Sequence, residues 1–380
     1  MFTFPLDPQS LLNDRSRRFE AWGIPPDKIR WIRATALEIW KAEEGSWEYQ
    51  WVQQGKVAEY FQDWLLASLC YGAAKFPYVC TSYRQQIYEQ QLFCFTKAAM
   101  EFPFAFERRL LNIPYRGESV LVATHVYALD RSEPAPLVVL SGGVDTWKME
   151  LHRLAVQLMR WGKFRVVVMD MPGTGESPVF LKPDAELLYK GVIDYWKNQT
   201  KLRPPRIGIV GMSFGGHWAL KLALQGEVDA CVSIGGPAGI TMADGLFLTS
   251  LPYGMSGILA NAMGYGKMPL PDEAREHYAR FSLQRQGLLD SPRLPPTLVV
   301  NGDQDPYVSL DDSLAFENIE NADVWLVKGT GHCAEEALPR LMPGIIGWLQ
   351  QELHADNQWQ HRVLATVGRW MRPTLRPPGK

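Results

Sequence analysis

Through the first hundred residues, apolar positions recur every three or four places. Residues 28–44 and 83–102 contain no Gly or Pro, and Ile32, Ala36, Ile39 and Trp40 fall on one helical face. This pattern predicts a helical accessory unit over residues 1–105. From about residue 106 the pattern changes to short β-branched and aromatic runs. Residues 107–115 and 119–128 read as an antiparallel pair turned at Arg116-Gly117-Glu118. Further strands are expected at 137–140, 164–169, 230–234, 297–301 and 323–327, with another opening at Ile207. Helices are expected over 147–161 and 185–198. Strands alternating with helices predict a mostly parallel, doubly wound α/β sheet spanning 106–353.

Two stretches stand outside that alternation. Residues 236–295 are longer than one crossover needs and rich in Gly, Met and Tyr, which predicts a cap insertion over a site. Residues 354–380 set Arg362, Arg369, Arg372, Arg376 and Lys380 against the single acid Asp356, a basic tail expected to be solvated. No internal repeat is visible.

The most informative local pattern is Ile207-Gly-Ile-Val-Gly-Met-Ser213-Phe-Gly-Gly-His217. A β-branched run meets Gly-x-Ser-x-Gly, and a helix-forming run follows. That is the nucleophile elbow of an α/β-hydrolase fold, with Ser213 at its tip. A serine needs a base, and the base needs a partner. The chain supplies them in the order Ser, acid, His. Asp303 and Asp305 follow the strand at 297–301, and His332 follows the strand at 323–327. Asp305 is favoured as the acid by its place in the loop, with Asp303 as the alternative that would bond the loop backbone. Oxyanion donors are expected from the N–H of Phe214 and from Gly143 or Val144, in the loop after the strand at 137–140. Asp145 adjoins that loop and is a candidate for orienting it or for contacting a polar substrate. His217, one helical turn past Ser213, is a candidate contact beside the site. His125 and His152 fall on an expected strand and helix and are expected to be structural, and His277, His354 and His361 carry no motif.

Composition narrows the class. The 380 residues are 46% hydrophobic and 21% charged, as expected of a globular chain. A net charge of −2 gives no general attraction to nucleic acid or to anionic lipid. No apolar run approaches the roughly 20 residues of a membrane span. The N-terminus lacks the pattern of a signal peptide. The five cysteines, Cys70, Cys80, Cys94, Cys231 and Cys333, are odd in number and show no metal spacing, so a reducing cytoplasm and no metal are expected. Cys333 adjoins His332. Six of the 14 tryptophans lie before residue 105. They are expected mostly to fill a helical core, with some closing one side of a substrate pocket.

Three segments together resemble a known group. Leu140-Ser-Gly-Gly-Val-Asp-Thr146, Met169-Asp-Met-Pro-Gly-Thr-Gly-Glu-Ser177 and Gly211-Met-Ser-Phe-Gly-Gly216, behind a helical N-terminal unit, resemble the fermentation-respiration switch esterase family. That family is in turn similar to polyketide-shortening hydrolases and to dihydroxypseudooxynicotine hydrolase. The resemblance implies a cofactor-free hydrolase, often a homodimer, with its site between the core and the helical unit. Its implied substrate is a small acyl compound, cleaved at an ester or at an acyl C–C bond. Some relatives lack the elbow serine, whereas this chain keeps Ser213. Acyl transfer by the same residues, or a non-catalytic binding role on the same fold, are the alternatives.

Overall fold

The computed structural model describes residues 1–130, 135–199 and 205–354. Apart from His354, the basic tail and His361 lie outside the described residues. The sheet is built from short runs that pair over their whole length. β1 (Ala105–Tyr115) and β2 (Glu118–Ala128) form an antiparallel hairpin, with Arg116 and Gly117 at φ +52° and +84°. Both central turn residues at positive φ match the right-handed twist of the flanking strands. β3 (Leu137–Ser141), β4 (Arg165–Met169), β5 (Ile207–Met212), β6 (Ala230–Ile234), β7 (Thr297–Gly302) and β8 (Ala322–Val327) run parallel, and β2 joins β4 antiparallel. The order across the eight strands is β1-β2-β4-β3-β5-β6-β7-β8. Val138, Val139, Val166, Val167, Ile209, Val210 and Val232 are buried, as strands covered on both faces require.

Five helices precede the sheet: α1 (Pro8–Trp22), α2 (Pro26–Thr35), α3 (Trp47–Tyr60), α4 (Trp64–Lys75) and α5 (Ser82–Ala99). Asp7, Ser46, Asp63 and Thr81 cap α1, α3, α4 and α5 with side-chain oxygens. Phe19, Trp22, Trp47, Trp51 and Phe76 form a core of their own. Tyr78, Tyr88 and Phe95 belong instead to the core of the sheet.

Two helical expectations need correction. The periodic run 28–44 stops at Thr35, because Trp40 is drawn into tertiary contacts: its indole N–H donates to the Phe4 carbonyl at 2.6 Å and Arg84 stacks over its ring. The helix expected from 147 begins only at His152, as α6 (His152–Gly162). Glu150 accepts from the Trp147 N–H, and Asp170 accepts from the Lys148 N–H, so these backbone groups are satisfied outside a helix. α7 (Glu186–Asn198) and α8 (Phe214–Leu224) follow. Between β6 and β7 the chain forms α9 (Ile240–Ala243), α10 (Gly245–Thr249), α11 (Met255–Ala262) and α12 (Pro271–Tyr278). α13 (Leu310–Leu314) and α14 (Leu338–Leu353) complete the layers. Among the described residues, no helix is long and apolar enough to cross a membrane.

Candidate active site

Ser213 sits between β5 and α8 with φ 54° and ψ −128°, a conformation costing a non-glycine residue about 1–3 kcal/mol. Its N–H donates to the Ile234 carbonyl at 2.7 Å, which fixes the turn against β6. Gly215 permits the turn, since a β-carbon there would stand 2.5 Å from the Gly142 carbonyl oxygen. Ser213 itself is half-buried. The N–H of Phe214 is the first of α8, and helix-start N–H groups have no acceptor within their own helix.

The loop after β3 lies directly against the serine. A β-carbon on Gly143 would stand 2.7 Å from Ser213 Cβ and 2.9 Å from its Oγ. Gly143 and Val144 are therefore beside the elbow, and only glycine allows so close an approach. Trp147 holds the loop by donating its indole N–H to the Val144 carbonyl at 3.2 Å.

Beyond β7, the Asp305 carboxylate collects four hydrogen bonds. Oδ1 accepts from the N–H groups of Tyr307 and Val308 at 2.8 and 3.1 Å. Oδ2 accepts from Asn301 Nδ2 at 2.9 Å and faces His332 Nδ1 at 2.7 Å. Burial pushes the Asp305 carboxyl up, but the His332 charge and these hydrogen bonds outweigh it, and its pKa falls below the usual range. Burial likewise pushes His332 down, yet Asp305 outweighs it and holds the imidazolium form well above the ordinary histidine value. Asp303 lies apart from the pair. Its Oδ1 accepts from the Gly329 N–H at 2.7 Å and so steadies the loop leading to His332, rather than closing a local turn on itself.

His332 is buried, and its Nε2 has no hydrogen-bond partner among the described residues. Cys333 and Ala334 follow it at φ 59° and 49°, a second strained turn at the same sheet edge. Asn301 Oδ1 accepts from the Cys333 N–H, and Cys333 Sγ donates to the same Ile234 carbonyl that Ser213 uses. One β6 carbonyl thus ties the serine turn to the histidine turn. Such a set can pass a proton from a serine to Nε2 while Asp305 holds the ring by Nδ1.

The other candidates are placed differently. His217 is fully buried, its Nδ1 faces the Pro237 carbonyl at 3.0 Å, and burial pushes its pKa down to about 3. Its ring, on the elbow helix itself, packs beside Phe214 and Phe281. Asp145 is buried and paired with two cations of α1. Arg18 Nη1 reaches both its oxygens at 3.0 and 2.9 Å, and Arg15 Nη2 reaches Oδ2 at 3.1 Å. Sequence reasoning missed these arginines, together with Asp14, Tyr307 and Asn301. The Tyr307 hydroxyl donates to Asp14 at 3.0 Å, and its ring meets the His332 ring edge-on at 5.1 Å. The available signal was faint. Arg15 and Arg18 share a helix face, which ordinarily reads as solvated. Asn301 lies one residue before the end of a mostly apolar strand, where asparagine is uncommon.

Known proteins agree with this architecture. The chain is 25% identical over 285 residues to Esterase FrsA of Vibrio vulnificus, covering 71% of this chain and 67% of that protein. It is 24% identical over 331 residues to Esterase FrsA of Photobacterium profundum, covering 81% and 77%. Among solved structures, wild-type AbyA5 superposes with a TM-score of 0.80 at 21% identity, covering 95% of this chain and 98% of that one. The 2,6-dihydroxy-pseudo-oxynicotine hydrolase superposes with a TM-score of 0.73 at 22% identity, covering 90% and 96%. These two likenesses show the α/β-hydrolase fold. The Esterase FrsA-like family model matches residues 37–354, most of the chain, and on that match the chain is an enzyme of the hydrolase class that belongs to the FrsA-like esterase family.

Proposed function

We propose that the protein is a serine hydrolase that cleaves a small carboxylic ester or an acyl C–C bond through an acyl-enzyme on Ser213. The observation that carries this reading is the buried Asp305–His332 pair, whose Nε2 is left without a partner at the edge where the strained Ser213 stands. Ser213 Oγ adds to the substrate carbonyl carbon, and its proton passes to His332 Nε2. The carbonyl electron pair moves onto oxygen, where the N–H groups of Phe214 and of Gly143 or Val144 hold it. When the pair returns, the bond to the leaving group breaks and His332 delivers its proton to the departing alkoxide or carbanion. Water then adds to the acyl-enzyme by the same route, and the acid is released with Ser213 restored. Every step uses side chains and backbone already present, so the reading calls for no metal or cofactor.

The helical segment 1–105 and the insertion 236–295 are, in this reading, the two covers of the site. Phe281 meets Phe214 edge-on at 5.7 Å, which supports the insertion lying over the elbow helix. Labelling by a fluorophosphonate probe and turnover of p-nitrophenyl esters test the reading. Both are expected in the native protein, and both are expected to vanish in Ser213→Ala with the melting temperature nearly unchanged. More than a few per cent of the native activity in that variant would remove Ser213 as nucleophile.

A further inference from the structure

We propose that Arg18, backed by Arg15, is a positioning residue of this active centre: from α1 it joins the loop that carries Gly143 and Val144 to the loop that carries His332. The inference rests on the serine-hydrolase reading above and deepens it. Arg18 splits its guanidinium between two carboxylates. Nη1 takes both oxygens of Asp145, the residue after Val144, while Nε and Nη2 take Oε1 of Glu335, three residues past His332, at 2.8 and 2.5 Å. The planar fork of arginine suits such a bridge, and a lysine ammonium on a flexible stem does not reproduce it.

The same helix reaches the third loop. Asp14 accepts from the hydroxyl of Tyr307, two residues past Asp305, and pairs with Arg15. The Arg15 guanidinium lies over the Tyr307 ring at 5.3 Å while holding Asp145. Within five residues, one helix therefore grips the oxyanion-side loop, the acid loop and the histidine loop. α1 is itself anchored, since Leu11, Leu12 and Phe19 are fully buried in the helical core. An anion-binding role for the two arginines fits poorly. Asp14, Asp145 and Glu335 give three carboxylates against two guanidinium groups, so the cluster offers no surplus positive charge.

Charge gives a readout that a purely mechanical strut would not move. His332 meets Asp305 and the Tyr307 ring from the β7 loop, and the charge of Asp145 on the β3 loop acts on it; Arg15 and Arg18 of α1 reach it through Asp145, and Asp14 through Tyr307. Cys333 and Glu335 lie on its own loop. Removing the Arg18 charge leaves Asp145 and Glu335 less compensated and favours the imidazolium, so the acid limb of kcat/KM moves to higher pH. Removing the Asp145 charge takes an anion away from His332 and leaves Arg15 and Arg18 less compensated, and the limb moves to lower pH.

The experiment measures kcat, KM and the pH profile for the wild type, Arg18→Gln, Arg18→Lys and Asp145→Asn, with a p-nitrophenyl ester as the probe. Arg18→Gln is expected to lose about 100-fold in kcat with KM changed far less, since small misplacements of reacting groups cost about that much. Its acid limb is expected to rise by about half a pH unit or more, and that of Asp145→Asn to fall by a similar amount. Arg18→Lys is expected to restore the limb, because it restores the charge, but not the full kcat. A folded Arg18→Gln within threefold of wild-type kcat would overturn the proposal, as would limbs that stay at the wild-type pH in both variants. If thermal melting shows that Arg18→Gln does not fold, Asp145→Asn decides alone: a limb that fails to fall overturns the proposal. Failure of the underlying reading looks different, because activity would then survive Ser213→Ala. Activity lost in Ser213→Ala but unmoved in the Arg18 variants sinks this inference only.

Discussion

Replacing Asp305 by asparagine tests the core of the site with a change of one atom. Oδ1 already accepts two backbone N–H groups, so the single amide oxygen of the variant has to stay there. Its NH2 then faces Asn301 Nδ2, a donor, and His332 Nδ1. Asn301 does not turn round freely, because its Oδ1 accepts from the Cys333 N–H. His332 Nδ1 is thereby forced to accept, its proton moves to Nε2, and Nε2 can no longer take the Ser213 proton. The same exchange in Ser–His–Asp proteases costs about 10⁴-fold, so kcat/KM is expected to fall by roughly 10³–10⁴, or about 4–5.5 kcal/mol of barrier. The pH profile changes too. In the wild type, activity is expected to rise as His332 loses its proton, at a pH above 6.5 because Asp305 outweighs the effect of burial. In the variant, burial remains without the anion, and the limb drops below that value.

Stability follows the same pair with opposite signs. The depressed Asp305 pKa contributes stability above about pH 4 that is lost as pH falls through the folded value. The raised His332 pKa contributes stability in full below about pH 6.5 that is lost as pH rises through the folded value. The deficit of the variant in urea unfolding is therefore expected to be largest between about pH 4 and 6.5. Asp303→Asn is the control. Its amide oxygen can still accept from Gly329, and activity should stay within about threefold of wild type. A loss under tenfold in Asp305→Asn, or a limb that does not fall, would refute the reasoning.

Two further substitutions probe separate features. Gly143→Ala places a methyl 2.7 Å from Ser213 Cβ, so the loop has to withdraw; kcat is expected to fall about 100-fold with little change in melting temperature, and a rate within fivefold of wild type would move the oxyanion donors elsewhere. Lys148→Met removes the fully buried ammonium that pairs with Asp170 and lies 2.8 Å from Glu176, leaving the buried Asp170 without its ion-pair partner while Glu176 keeps Arg108. Urea unfolding is expected to show a loss of about 3–5 kcal/mol, and a loss under about 1 kcal/mol would contradict the paired burial.

The parts of the fold and site that were legible are those governed by local rules. The elbow is a short-range object: a strand, two glycines that tolerate crowding and a helix start, all within fourteen residues of sequence. Asp305 and His332 are legible as candidates because each follows a short, mostly apolar run that reads as a strand, buried throughout at β7 and partly buried at the edge strand β8. What stayed hidden depends on distant pairing. Arg18 lies 127 residues from Asp145 and 317 from Glu335, and nothing in the local pattern of α1 distinguishes a buried bridge from a solvated charged face. The break after Thr35 has the same origin. The apolar period of 28–44 is genuine, but the Trp40 side chain is claimed by Phe4 and Arg84, and tertiary contact overrides propensity.

The helical segment illustrates how the two kinds of information differ. Its tryptophans are expected mostly to fill a helical core, with some closing one side of a substrate pocket. Trp22, Trp47 and Trp51 are at most 5% exposed and pack around Phe19, while α1 meets the candidate site through Asp14, Arg15 and Arg18. The segment is also not a detachable cover. Tyr88 and Phe95 of α5 pack in the core of the sheet, with Tyr88 edge-on to Trp147 at 5.1 Å and Phe95 stacked on His125 at 4.9 Å. The strap before α1 reaches the insertion as well: Asn261 of α11 receives the Phe2 N–H at 2.8 Å and donates back to its carbonyl at 2.9 Å. A truncation near residue 100 would therefore strip the sheet of buried aromatic area, worth about 1.5–3 kcal/mol for each such side chain. Lost activity in it would report on folding before it reported on chemistry. A single exchange on α1 leaves Tyr88, Phe95 and the strap in place, which is why the contribution of the segment to the reaction has to be read at Arg18 and not by deletion.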